Sequence, residues 1–183
     1  MLHTGSAYYD PAQDTYTVSG SGENIWFGTD DFHFVWQKVS GDLALTSGIG
    51  FLGTAGDPHR KAVLMIRQTL DGNSPEVDLA VHGVGLTSLQ FRDAPGADVH
   101  EVQSNVSAPA TVRLEKHGDF FYAFVSGKDG KLRPSGASTK IAIKGEFYVG
   151  IGVCAHNKDA METRFFHTPN SNRWRLPPAS WFC

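Results

Sequence analysis

The segment YVGIGVCAH, positions 148–156, alternates branched aliphatic side chains with small ones. A period of two is typical of a β-strand, because successive side chains point to opposite faces of the sheet. The odd positions from 149 to 155 are therefore predicted to face an apolar core. The even positions, which form the opposite face, are Gly150, Gly152, Cys154 and His156.

The same kind of pattern recurs along the chain, in short runs rich in Val, Ile, Phe and Tyr between clusters of Gly, Asp, Asn and Pro. Such runs predict strands separated by turns. No segment combines helical periodicity with caps at both ends, so the chain is predicted to be all-β, with two antiparallel sheets packed face to face. Strands are predicted near 16–19, 32–39, 41–51, 61–68, 77–82, 88–92, 110–116, 120–126, 139–143, 146–155 and 162–166.

Composition excludes several classes of protein. The chain has 183 residues, of which 40% are hydrophobic and 19% charged, which favours one folded domain over intrinsic disorder. The formal charge is −3 and no block of like charges occurs, so a nucleic-acid partner is not expected. Apolar runs fall far short of the ~20 residues that span a bilayer, so a membrane partner is not expected either.

The chain ends carry weaker signals. Residues 1–166 are predicted to form the domain, and 167–183, rich in Pro and polar residues, an irregular tail. The first residues lack the features of a signal peptide, which predicts a cytoplasmic protein unless a leader has been removed. The two cysteines cannot form a disulfide framework. Cys154 is predicted to be a buried thiol and Cys183 a free one.

Several motifs resemble one superfamily. FHFVW at 32–36, SGD at 40–42 and KAVLMIR at 61–67 resemble the concanavalin A-like lectin/glucanase superfamily. VRLEK at 112–116, with the strands at 120–126 and 148–156, is similar to its regulation-of-enolase-like branch, an accessory domain of bacterial secreted proteins and glycosidases. The resemblance covers about residues 15–166. It implies a concanavalin A-like jelly roll.

Alternation along four strands places polar side chains on the face opposite the core. Small residues with scattered polar groups suit a concave ligand groove, and a tryptophan there could stack on a sugar ring. The other interpretation is an ordinary solvated sheet face. The residues predicted to bind a ligand are Trp36, Arg67, His82, Gln90, Arg92 and His156.

The resemblance and this face together predict a lectin-like domain that recognises an oligo- or polysaccharide on its concave sheet. The alternative is a glycan-active enzyme, either a glycoside hydrolase or a polysaccharide lyase, that uses the same groove. Endoglucanases of this superfamily carry Glu, Asp and Glu at i, i+2 and i+5. Here Glu76 and Asp78 begin that pattern but Val81 ends it, so the two acids are predicted to form a solvated strand start.

No cofactor is predicted. The histidines show no H-x-H or H-E-x-x-H spacing, which makes transition-metal ligation a weak alternative. A structural calcium ion held by loop acids is left open, since carboxylates and backbone carbonyls are its usual ligands. The candidate acids are Asp30, Asp31 and Asp57. The sequence does not determine the oligomeric state.

Overall fold

Antiparallel β-strands make up the computed structural model, which describes residues 5–51 and 55–167. Within those ranges the chain forms fifteen strands and no helix. The strands are β1 Gly5–Asp10, β2 Thr15–Gly22, β3 Asn24–Trp26, β4 Thr29–Asp31, β5 His33–Ser40, β6 Leu43–Phe51, β7 Lys61–Arg67, β8 Glu76–His82, β9 Thr87–Arg92, β10 His100–Gln103, β11 Thr111–His117, β12 Phe120–Ser126, β13 Leu132–Lys140, β14 Glu146–Cys154 and β15 Asn157–His167.

Two large sheets form a sandwich. One has seven strands in the order β1-β2-β15-β6-β11-β12-β13, and the other has six in the order β10-β9-β8-β7-β14-β5. A separate two-stranded hairpin, β3–β4, completes the described elements. The predicted all-β jelly roll with two packed antiparallel sheets is confirmed. No described segment forms a helix able to cross a membrane.

The main core lies between the two sheets, and the period of two predicts its members well. Val149 and Ile151 are buried in this core, on the face assigned to them above, and so are Leu64 and Leu79, which the same alternation along 61–68 and 77–82 assigns to the core. Burial of such side chains supplies the main favourable free energy of folding, about 1.5–3 kcal/mol each.

A second apolar cluster lies on the other side of the six-stranded sheet, which we call its outer face. There Ile25 of the β3–β4 hairpin packs with Phe32, Val63 and Met65. Gly152 makes room for this packing, because a Cβ at that position would come within 2.8 Å of the Phe32 ring. The hairpin therefore covers part of the outer face.

Some predicted boundaries differ from the structure. Strands β1, β3, β4 and β10 were not predicted, and β13 covers Leu132–Lys140 where 139–143 was expected. Cys154 is fully buried, as predicted. Cys183 and nearly all of the predicted tail, from residue 168 onward, lie outside the described residues.

Candidate functional site

The outer face carries most of the predicted ligand-binding residues, but at two separate ends. Register places Arg67 and Arg92 on either side of Glu76 at one end. At the other end Lys61 lies opposite His82. The two ends have different environments, because the β3–β4 hairpin covers the arginine end.

At the arginine end, both guanidinium groups are completely buried around Asp30 of the hairpin. Arg92 binds this carboxylate with two nitrogens, at 2.9 and 2.5 Å, and Arg67 lies 3.3 Å from it. Arg92 also donates to the carbonyls of Phe27 and Ala97, both at 2.9 Å. Arg67 donates to the carbonyls of Thr69 and Asp71, at 2.8 and 2.6 Å. The expectation that Arg67 and Arg92 are open to a ligand is wrong, because both are buried and their donors are used by Asp30 and by backbone carbonyls.

Glu76 and Asp78 are also completely buried, so the predicted solvated strand start is wrong. They lie on β8, between β7 and β9, where neighbouring strands and the hairpin exclude water. Among the described residues no other side chain or backbone N–H donates to their carboxyl oxygens, and the hydrogen bond within their reach is the one between the two acids when one is protonated. Burial raises the pKa of Glu76 well above its usual value, and raises the pKa of Asp78 to about 8. The neutral form of both acids is favoured.

At the opposite end the outer face opens into a pocket of about 340 Å³, which we call the histidine pocket. It combines buried polar groups with an aromatic wall from the hairpin. Its lining residues are Asn24, Trp26, His59, Lys61, His82, Leu86, Gln90, Glu101, Gln103 and His156.

The buried part of this lining is a hydrogen-bonded group formed by Lys61, His82 and Gln90, each at most 4% exposed. Lys61 Nζ donates to the backbone carbonyl of Ile25 at 2.7 Å and to Gln90 Oε1 at 3.2 Å. Gln90 Nε2 donates to Glu101 Oε1 at 3.1 Å and lies 3.4 Å from His82 Nε2. The Lys61 ammonium also lies 5.2 Å from the centre of the Trp26 ring.

Three histidine rings converge at the pocket. The His59 ring centre lies 6.1 Å from that of His82 and 5.6 Å from that of His156. His156 follows β14 in a left-handed conformation, with φ of 56°, and its Nδ1 lies 3.5 Å from an Asp57 oxygen. Burial, with the nearby Lys61 ammonium, lowers the pKa of His82 to about 4. His82 is therefore neutral near pH 7.

The structure brings together three of the six predicted binding residues: His82, Gln90 and His156. Trp36 lies on the same face but outside the pocket, packed edge-on against Tyr148 with ring centres 4.9 Å apart. Sequence reasoning missed Lys61 and Glu101. Lys61 shares the alternation of β7 and could have been found, whereas Glu101 depends on the unpredicted strand β10.

No metal site is evident in residues 5–51 and 55–167, where no group of three or more His, Cys, Asp or Glu side chains is arranged to hold an ion. Of the three acids considered as calcium ligands, Asp30 forms ion pairs with Arg67 and Arg92, so its carboxylate is already used. Calcium binding stays a prediction for Asp31 and Asp57.

A larger cleft of about 680 Å³ lies on the outside of the seven-stranded sheet, between Tyr8, Phe165 and the glycines of β6. Its polar groups are at the surface, such as Thr15 Oγ1, which donates to the Gln13 carbonyl at 3.0 Å. It lacks the buried, converging polar groups that orient a ligand. We therefore take the histidine pocket as the candidate site.

No family model matches the sequence, and no curated protein matches it. Solved structures do match. A functionally unknown protein from Saccharomyces cerevisiae is 13% identical, with a TM-score of 0.63 over 91% of this chain and 97% of that one. The carbohydrate-binding module CBM66 from Bacillus subtilis is 16% identical, with a TM-score of 0.58 over 90% and 89% of the two chains.

A prokaryotic β-1,3-1,4-glucanase (lichenase) derived from a mouse hindgut metagenome also matches. It is 12% identical, with a TM-score of 0.50 over 91% of this chain and 97% of that one. At these identities the matches show a shared fold, which is the concanavalin A-like jelly roll. Function has to be argued from the site.

Proposed function

We propose that this chain is a carbohydrate-binding domain that holds a sugar residue of an oligo- or polysaccharide in the histidine pocket. The observation that carries the proposal is the pocket itself, where the Trp26 ring borders a group of buried side chains that can donate and accept hydrogen bonds. The fold supports the proposal, since CBM66 of Bacillus subtilis shares it. The narrower assignment to the regulation-of-enolase-like branch rests on the sequence motifs alone.

The chemistry of the lining suits a sugar. A pyranose or furanose presents C–H groups on its faces and hydroxyl groups around its edge. The Trp26 ring offers an apolar surface on which the C–H groups can stack. The amide of Gln90, the carboxylate of Glu101 and the histidine rings can form hydrogen bonds with the hydroxyl groups. Gln90 is fixed by neighbours on both sides of its amide, which lowers the entropy lost on binding.

The alternative, a glycan-active enzyme, has one observation in its favour. Glu76 and Asp78 lie two residues apart on β8 with raised pKa values, and a glycosidase needs one carboxyl group of raised pKa as its acid. Both side chains are completely buried, so a substrate would have to displace the β3–β4 hairpin to reach them. Binding without turnover is therefore the function that the geometry supports best.

A polysaccharide panel tests the proposal. We expect the wild-type protein to retain at least one polysaccharide in affinity electrophoresis or pull-down, and to release neither reducing ends nor unsaturated products from it. Trp26→Ala should weaken binding about tenfold or more, the equivalent of about 1.4 kcal/mol, through loss of ring stacking. Trp36→Ala is the matched control, because that indole lies on the same face outside the pocket.

Equal loss of binding in both tryptophan variants, with both still folded, would place the ligand elsewhere on the outer face. Turnover of a retained polysaccharide would favour the enzyme instead. Failure of every glycan to bind the folded wild-type protein would overturn the proposal.

A further inference from the structure

We infer that the ligand of the histidine pocket carries an anionic oxygen, the carboxylate of an acidic sugar, and that Lys61 and His82 bind it. This inference rests on the proposed function and narrows it to one class of glycan. It follows from which hydrogen-bonding groups the pocket leaves unused and from the charges of the buried groups on the outer face.

The first unused donor is on Lys61. An ammonium group has three N–H donors and no acceptor. In the described structure two acceptor oxygens engage it, the Ile25 carbonyl and Gln90 Oε1. The side chain is 2% exposed, so water replaces little of what is missing. One charged donor remains for a ligand in the pocket that Lys61 lines.

The second unused donor is on His82, and the surroundings of Gln90 identify it. Lys61 can only donate, so the Gln90 atom beside it is the oxygen, and the Gln90 atom beside the Glu101 carboxylate is the nitrogen. The Gln90 NH₂ group therefore also faces Ser88 Oγ, at 3.3 Å, and His82 Nε2, at 3.4 Å, and an N–H on Nε2 would point at this donor group. This arrangement favours the tautomer in which Nε2 accepts and Nδ1 carries the proton.

His82 Nδ1 is buried and has no hydrogen-bond partner in the part of the chain that the structure describes. A buried donor without an acceptor is costly, and native proteins seldom leave one unexplained. His82 lines the pocket, and we assign this donor to an acceptor atom of the ligand. Lys61 and His82 are directly opposite residues of β7 and β8 and both line the pocket, so a single carboxylate is the proposed partner of both.

The buried charges of the outer face as a whole include more basic than acidic groups in their ionised forms. Lys61 lies at the pocket, and Arg67 and Arg92 lie at the other end of the face, where Asp30 binds both arginines. Burial raises the pKa values of Glu76 and Asp78, which favours their neutral forms. Burial lowers the pKa of Lys61, and the nearby Asp78 acts against that shift. Burial alone would raise the pKa of Glu101, but hydrogen bonds from Gln103, Ser88 and Gln90 outweigh it and lower this pKa.

Glu101 is thus the anion of the pocket, and both its oxygens already accept hydrogen bonds, from Gln90 at 3.1 Å and from Gln103 at 2.8 Å. The hydrogen bonds of Glu101 therefore go to these two amides. The donors of Lys61 and His82 remain unused, and an anionic oxygen complements them better than a neutral hydroxyl group does.

The test compares sugars that differ only in whether their carboxyl groups are free or esterified. Oligogalacturonate and its methyl ester are titrated into the wild-type protein by calorimetry, and sialyllactose and its methyl ester form a second pair. We expect one acid to bind at least tenfold more tightly than its neutral counterpart, the change typical of a hydrogen bond to a charged group. The pair that shows the difference distinguishes a uronate from a sialate.

Two variants link the preference to the site. Lys61→Met removes the ammonium and should abolish the preference for the acid. His82→Phe keeps a buried ring without the Nδ1 donor and should reduce the preference severalfold. Lys116→Met is the matched control, because Lys116 is also a buried lysine but lies on β11 and donates to the Gly118 carbonyl at 2.6 Å.

Equal binding of acid and neutral forms, still weakened by Trp26→Ala, would overturn the inference and leave the proposed function standing. An acid preference that survives unchanged in folded Lys61→Met and His82→Phe would also overturn it. Absence of all glycan binding would remove the proposed function and the inference together. If Lys61→Met does not fold, the wild-type comparison of acid and ester still decides.

Discussion

Arg92→Met is expected to destabilise the domain strongly, which reverses what the sequence alone suggests for a polar residue on a non-core face. Arg92 is completely buried. It binds both oxygens of Asp30 and donates to the carbonyls of Phe27, Ser74 and Ala97. Methionine keeps much of the volume, so the substitution mainly removes these contacts.

The magnitude follows from the burial of the group. Removing one partner of a buried ion pair costs about 3–5 kcal/mol, since the other charge stays buried with too few partners. A domain of this size has a total stability of about 5–15 kcal/mol. At roughly 2–4 °C per kcal/mol for 150–250 residues, the melting temperature should fall by about 6–20 °C.

Differential scanning calorimetry at neutral pH measures this change. Arg133→Met is the control, because its ion pair with Asp129 is half exposed and its loss should leave the melting temperature unchanged. A fall of less than about 2 °C for Arg92→Met would refute the reasoning, since it would mean that Asp30 and the hairpin are not held by this arginine.

Two further predictions concern buried ionisable groups. The pKa of Asp78 is about 8 in the folded protein against 3.8 in the reference state, so the folded protein keeps a proton that the unfolded chain loses between these values. Its contribution to stability therefore falls as pH rises through this window, by up to about 1.4 kcal/mol per pH unit. Glu76, whose pKa burial also raises, acts in the same sense, whereas below about pH 6.5 the lowered pKa of His82 acts in the opposite sense. The fall should therefore be steepest between about pH 6.5 and 8 in urea titrations. Asp78→Asn should reduce that fall and Glu101→Gln should not; an unchanged slope in Asp78→Asn would contradict the assignment. Cys154 should react with a thiol reagent only on unfolding, because it is fully buried and burial raises its pKa to about 11, and rapid labelling of the folded protein at that position would contradict this.

The sequence predicts the faces of the central strands because a period of two needs no knowledge of distant residues. It assigns Leu64 and Leu79 to the core and Arg67, Gln90 and Arg92 to the opposite face, and the structure places them so. Which segment covers that face depends on residues far away in the sequence. Asp30 is 62 residues from Arg92, and nothing in either segment indicates that they meet.

The same limit explains the error at Glu76 and Asp78. Two acids after a turn are ordinarily solvated, and local pattern supports that prediction. Their burial depends on β7 and β9 on either side and on the short hairpin above. The hairpin strands have only three residues each, below the length at which alternation gives a reliable signal.

The β3–β4 hairpin also explains why only part of the predicted site is open to a ligand. Its second strand places Asp30 between Arg67 and Arg92, which closes that end of the outer face. Its first strand receives a hydrogen bond from Lys61 at Ile25 and contributes Trp26 to the pocket wall. The buried ion pairs and the pocket wall therefore share one segment of eight residues, 24–31. Because the hairpin is too short to be stable alone, we expect its docking, through Asp30 and through Ile25, to hold Trp26 in the pocket wall.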